Sequence, residues 1–161
     1  MDVRIRPAMA DDAPFLGWVI FTAGRSHCPR GLWDVLLGRP EDQCLAILER
    51  LTVTQEPHAF HHTGFIVAEV DGRRAAALSG YDPAVSGLEM VGPAFAELAQ
   101  DGVLSGGPVV DNQRGAAAVR YCVPEEAEGA WVIESVATMP EFRRWGIIDT
   151  LLNEILEKGR G

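Results

Sequence analysis

Residues 130–158 run without a break from an apolar strand, through a proline stop and a basic loop, into an amphipathic helix. This succession limits the chain to folds in which a helix starts just past the end of a strand. Ala130, Trp131, Val132, Ile133, Val136 and Ala137 make 130–138 strand-like. Met139-Pro140 ends it, since proline has no N–H to give to a ladder. From Gly146 onward, Ile147, Ile148, Leu151, Leu152, Ile155 and Leu156 recur every three to four residues, with Asp149, Asn153, Glu154 and Glu157 on the other side. This predicts a helix over 146–158, stopped by Gly159. The loop between holds Arg143 and Arg144. A helix N-terminus leaves backbone N–H groups unpaired and carries partial positive charge. With two arginines beside it, this one is predicted to bind an anion.

Upstream, residues 3–6 alternate apolar and polar as a half-buried strand does, and Pro7 ends it. Asp11 or Asp12 is the expected N-cap of a helix over 15–23. Residues 24–31 form a loop holding Arg25, His27 and Arg30. Pro40-Glu41-Asp42 opens a second helix, whose apolar face is Cys44, Leu45, Ile47, Leu48 and Leu51. Residues 55–64 are polar. Residues 65–70 and 73–81 are strands joined by Asp71-Gly72, a dipeptide that tolerates the positive φ of a two-residue hairpin turn. Residues 88–100 are predicted helical, with Pro93 at a start or bend, 103–113 a glycine-rich loop, and 116–123 either helix or strand. This order of elements indicates an α/β or α+β domain with a mixed sheet.

One domain is expected from 161 residues, of which 47% are hydrophobic and 23% charged. A net charge of -9 argues against nucleic acid as partner and suits a cationic substrate such as an amine. No apolar run approaches the roughly 20 residues of a membrane span. The N-terminus lacks the apolar core of a signal peptide, so a cytoplasmic location is expected. Cys28, Cys44 and Cys122 are too widely spaced for a metal site or disulfide framework and read as free thiols.

The stretch from Glu134 to Gly146 resembles the CoA-binding segment of GCN5-related N-acetyltransferases. That family holds the pyrophosphate of CoA on an arginine- or glutamine-x-x-glycine-x-glycine/alanine loop between its fourth strand and third helix. The matching residues are Arg143, Arg144, Trp145, Gly146, Ile147 and Ile148. The approach, a Val-Ala-Thr strand end, Pro140 and the aromatic Phe142, is also similar. The resemblance implies an acyl-CoA N-acyltransferase fold, with a central mixed, mostly antiparallel sheet flanked by helices. It implies acetyl-CoA as co-substrate, no metal, and main-chain contacts to the pantetheine arm from Val136, Ala137 and Thr138. The family's last small residue is Ile148 here, which either crowds the phosphates or packs into the core. Arg25, Trp33 and Asp34 fall where the family often shapes its acceptor pocket. The family continues past this helix with a strand, a helix and a hairpin, whereas this sequence ends at Gly161. A fragment, completion by another chain, and a shortened fold all fit, and an exposed sheet edge favours a homodimer.

Acetyl transfer to an amine needs a base, because an alkylammonium has an ordinary pKa of about 10.4. Glu134 is the candidate. Strand alternation places it on one face with Val136 and Thr138, and a carboxyl inside an apolar strand needs a purpose or a partner such as Arg120. Glu69, also inside a strand, is the runner-up. His58, His61 and His62 have no familiar ligand spacing and read as solvated loop residues. The function expected is transfer of the acetyl group of acetyl-CoA to a primary amine of a small molecule or protein, directly in a ternary complex. The alternative is a non-catalytic acyl-CoA-binding or interaction module with a degenerate fold of the same type.

Overall fold

Four strands pair antiparallel in the order β1-β2-β3-β4: β1 Val3–Pro7, β2 Phe65–Val70, β3 Arg73–Tyr81 and β4 Val132–Thr138. They belong to a computed structural model that describes residues 2–105, 117, 123 and 125–161. Apart from residues 117 and 123, the predicted element over 116–123 lies outside the described residues, as do the loop beyond Ser105, Arg120 and Cys122. The helices are α1 Ala13–Arg25, α2 Leu32–Leu37, α3 Glu41–Leu51, α4 Pro83–Ser86, α5 Val91–Gln100 and α6 Ile147–Arg160.

Alternation along β2 and β3 divides the core into two layers. Phe65, Val67, Ala77 and Tyr81 face Leu16, Ile20, Leu48 and Leu51 of α1 and α3. Ile66, Ala68, Val70, Ala76 and Leu78 face Ile147, Leu151 and Ile155 of α6. The central strands are thus covered on both faces, which explains their nearly continuous apolar sequence. The β2–β3 turn has Asp71 at φ 49 and Gly72 at φ 77, the two positive values that a tight hairpin of matching twist requires.

Several details depart from the sequence expectations. Asp12 does not cap α1 with its side chain. It is fully buried, accepts the Met9 N–H at 2.8 Å, and pairs with Arg6 at 2.7 Å and Arg74 at 2.6 Å. Burial alone would raise its pKa, but these donors outweigh burial and hold it below the usual carboxylate range. Residues 32–37 form α2, a helix too short to show periodicity. The histidine loop is buried rather than solvated: His58 and His61 are 1% and 5% exposed. His58 Nε2 lies 3.0 Å from the Thr54 hydroxyl and 3.1 Å from the Leu51 carbonyl, and burial lowers its pKa to about 4. Gly159 does not stop α6, which continues to Arg160. A Cβ there would stand 2.5 Å from Cγ of Trp131, so the missing side chain makes room for the indole.

Candidate functional site

Strand β4 changes phase in its middle. Glu134 pairs with Ser79 and Ala137 with Ala77, so three steps on β4 match two on β3. The extra residue is a β-bulge, with Ser135 at φ 53. It overturns the expectation that Glu134, Val136 and Thr138 share a face. Glu134 and Ala137 instead lie on the α1 side, and Thr138 sits opposite Ala76, whose side chain faces α6. The Ser79 hydroxyl, fully buried, donates to the Glu134 carbonyl at 2.9 Å and secures the kink.

A cleft of about 660 Å³ opens along the bulged strand. One wall is residues 133–138 of β4. The other is Thr22 and Ala23 of α1 with Ser26 and His27 just beyond it, and Arg143 and Ile148 close one end. Five candidates from the sequence therefore meet in one space with Glu134: Val136, Ala137, Thr138, Arg143 and Ile148. Thr22, Ala23, Ser26 and His27 were not foreseen. The polar loop containing His27 was visible, but nothing in its spacing ties it to β4.

Glu134 is part-buried, and burial raises the pKa of its carboxyl. Its Oε2 accepts a hydrogen bond from the Tyr81 hydroxyl at 3.1 Å, which works in the opposite direction. Nearby Glu126 adds to the rise. Such a carboxyl takes up a proton more readily than a solvated one.

At the other end, Arg143 Nε donates to the Thr138 carbonyl at 3.2 Å, which fixes the root of its side chain beside the strand end. Arg144 is at φ 67 and Gly146 at φ 74, and no side chain caps α6. The first N–H groups of that helix are thus open to a ligand. A Cβ at Gly146 would meet only Asp149 Oδ2 at 4.0 Å, so glycine serves the backbone angle here and not close packing. Trp145 is 48% exposed and meets Phe142 edge-on at 5.5 Å. Ile147 is buried in the α6-side core. Ile148 packs against that core and also lines the cleft. The donors and open space suit a phosphorylated ligand.

Two solved structures share the fold. One, an acetyltransferase, superposes with a TM-score of 0.69 at 17% identity, over 96% of this chain and 72% of that one. An N-acetyltransferase from Staphylococcus aureus Mu50 superposes with a TM-score of 0.61 at 19% identity, over 96% of this chain and 75% of its own. The chain has the N-acetyltransferase fold. No sequence-family model and no curated protein sequence matches it.

Within the acetyltransferase fold, the remaining sequence candidates have structural placements. Arg25 grips Asp34 with two hydrogen bonds, of 2.7 and 2.9 Å, and Glu41 at 2.5 Å, and its guanidinium lies 4.2 Å from the Phe21 ring. Asp34 also accepts the Gly31 N–H at 2.8 Å, and the Arg25 contact lowers its pKa to about 2. Arg25, Asp34 and Glu41 together form a strut joining α1, α2 and α3. Trp33 is 3% exposed and packs edge-on against Phe60 at 5.0 Å. None of the three lines the cleft. Glu69 is bound to Arg6 at 2.7 Å, on β2 and away from β4. Among the described residues, no three His, Cys, Asp or Glu side chains converge on a metal position, and no helix is long and apolar enough to cross a membrane.

Proposed function

We propose that this chain transfers the acetyl group of acetyl-CoA to a primary amine, directly between the two bound substrates. The observation that carries the reading is a single cleft with a part-buried carboxyl at one end and an uncapped, arginine-flanked helix start at the other. From Glu134 to Thr138 the bulged strand spans three steps of β3, roughly 10 Å, and would run beside part of an acyl-pantetheine arm between phosphate and thioester. Arg143, Arg144 and the first N–H groups of α6 would hold the pyrophosphate. Main-chain groups of Val136, Ala137 and Thr138 would hold the arm, with Trp145 at the exposed rim.

In the reaction, the neutral amine nitrogen attacks the thioester carbonyl carbon. The C–N bond forms, the C–S bond breaks, the amine proton passes to Glu134, and the electron pair leaves on the CoA sulfur. A backbone N–H left out of the ladder by the bulge would donate to the developing oxyanion. The acceptor is a small-molecule or protein amine, and the acidic net charge favours a cation.

The test is calorimetry with acetyl-CoA and desulfo-CoA, followed by thiol release across an amine panel. Arg143→Ala and Gly146→Glu should each weaken acetyl-CoA binding by about tenfold or more, the range expected for a lost charge-assisted phosphate contact. Unchanged affinity in both variants would remove the cofactor assignment. A branched Ile148 on the cleft wall, where the family has a small residue, favours a second reading, a non-catalytic acyl-CoA-binding module. That reading prevails if acetyl-CoA binds and no amine releases CoA.

A further inference from the structure

Behind the cleft, three ionisable groups from three parts of the chain come together, a buried phenol and two part-buried carboxyls. Tyr81, the last residue of β3, is 3% exposed, and its hydroxyl donates to Glu134 Oε2 at 3.1 Å. Glu126, from the segment before β4, acts electrostatically on both this phenol and Glu134. Its own Oε2 accepts the Leu88 N–H at 3.0 Å. Gly87 makes room for that contact, since a Cβ there would stand 2.7 Å from the same oxygen. Glu126 Oε1 is buried and has no hydrogen-bond partner among the described residues.

We infer that Tyr81 and Glu126 are positioning residues for Glu134, joined to it in one cluster at the back of the cleft. The inference rests on the transferase reading, in which Glu134 is the base. Tyr81 supplies one hydroxyl proton to a space holding two carboxyl groups. Burial drives the phenol well above its ordinary range, so the proton stays on its oxygen and Tyr81 remains a donor. The donor fixes Oε2 and so fixes the direction of Oε1, the oxygen left to meet an amine. Glu126, with a buried oxygen that lacks a donor, makes further negative charge in this space costly. It therefore strengthens the hold of Glu134 on a proton received from substrate, while Tyr81 weakens it. The two neighbours oppose each other and leave a carboxylate that is both aimed and basic.

Among the described residues, the groups facing Glu134 are few enough to make this testable. They are Tyr81 from β3 and Glu126 from the preceding segment, with His27 beyond α1 and Arg143 before α6 on the cleft walls. Two variants should act with opposite sign on the acid limb of the kcat profile. Tyr81→Phe keeps the ring and removes the donor, so the limb should move to higher pH. Because the carboxylate is no longer aimed, kcat should also fall by about tenfold or more, with both KM values nearly unchanged. Glu126→Gln removes the neighbouring charge, so the limb should move to lower pH. A ¹³C carboxyl titration of Glu134, assigned with Glu134→Gln, reads the same two shifts without turnover. It therefore works with either variant alone if the other fails to fold. Shifts in the same direction, or no shift in either variant, would overturn the inference and leave both residues as packing. Opposite shifts in the titration with no amine acetylated would uphold the cluster and reject only the transferase reading.

Discussion

Alanine at position 159 should destabilise the protein, although helix propensity alone says the reverse. Gly159 is the penultimate residue of α6. In a helix interior, glycine to alanine gains about 0.8–1.0 kcal/mol, so propensity offers at most that much here. The structure sets a steric cost against it. The new Cβ would lie 2.5 Å from Trp131 Cγ, 2.6 Å from Cδ1 and 2.7 Å from Cδ2. These atoms are at the root of the indole, so a swing of its far edge gives no relief. Retreat is also restricted, because the Trp131 Nε1 lies 2.9 Å from where a Cβ of Gly80 would stand. Overpacking of this kind costs about 1–3 kcal/mol. Subtracting the propensity gain leaves a net loss of roughly 1–2 kcal/mol at the upper end of that cost. For a chain of this size Tm falls about 2–4 °C per kcal/mol. Urea unfolding should show a lower midpoint at unchanged m. In a Trp131→Ala background the same substitution should cost nothing, a non-additivity that ties the effect to the indole. A raised midpoint for Gly159→Ala in the otherwise unaltered protein would refute the placement of Trp131 against α6.

Two further perturbations follow from the cleft and the histidine loop. Ile148→Ala should tighten acetyl-CoA binding by on the order of threefold to tenfold in calorimetry, equivalent to about 0.7–1.4 kcal/mol. Weaker binding would mean that the isoleucine supports the loop rather than narrows it. His58 is held neutral with a folded pKa of about 4, below its ordinary value near 6.5. Its contribution to stability is therefore present in full above pH 6.5 and is lost as pH falls toward 4, by on the order of 3 kcal/mol. His58→Gln should make the fall in urea midpoint across that window shallower, and an unaltered slope would show that the ring titrates normally.

How much was legible in the sequence depended on how local each cause is. The β2–β3 hairpin was readable because Asp71-Gly72 specifies its own turn, and α6 because six apolar residues repeat at helical spacing. The loop at Arg143 to Gly146 was readable for the same reason, since helix start, glycine and arginines are neighbours in the chain. The features that were misread depend on distant residues. Gly159 resembles a helix stop until Trp131 is placed beside it. His58 and His61 sit in a polar stretch, yet Phe60, Trp33 and α3 enclose that stretch. Arg25, Trp33 and Asp34 carry the residue types of a binding pocket, but opposite charges nine residues apart closed on each other across a helix too short to detect. Tyr81 gave no signal of its own, because its role comes from pairing with a strand some 50 residues later.

The bulge at Ser135 makes β4 two short strands out of step, and this bears on how the site tolerates change. The same strand must turn Glu134 toward α1 and also return Thr138 to the α6 side before the basic loop begins. A regular strand of the same length reaches one of these orientations only by giving up the other. Straightening the strand at unchanged length would rotate everything before the bulge by half a turn. Glu134 would then stand opposite Gly80, on the side of Leu78 and Ile155, and Ser135 would take its place opposite Ser79. Deleting Ser135 would instead leave Glu134 opposite Ser79 in an unbroken ladder, so the site survives loss of the extra residue but not its return to the ladder.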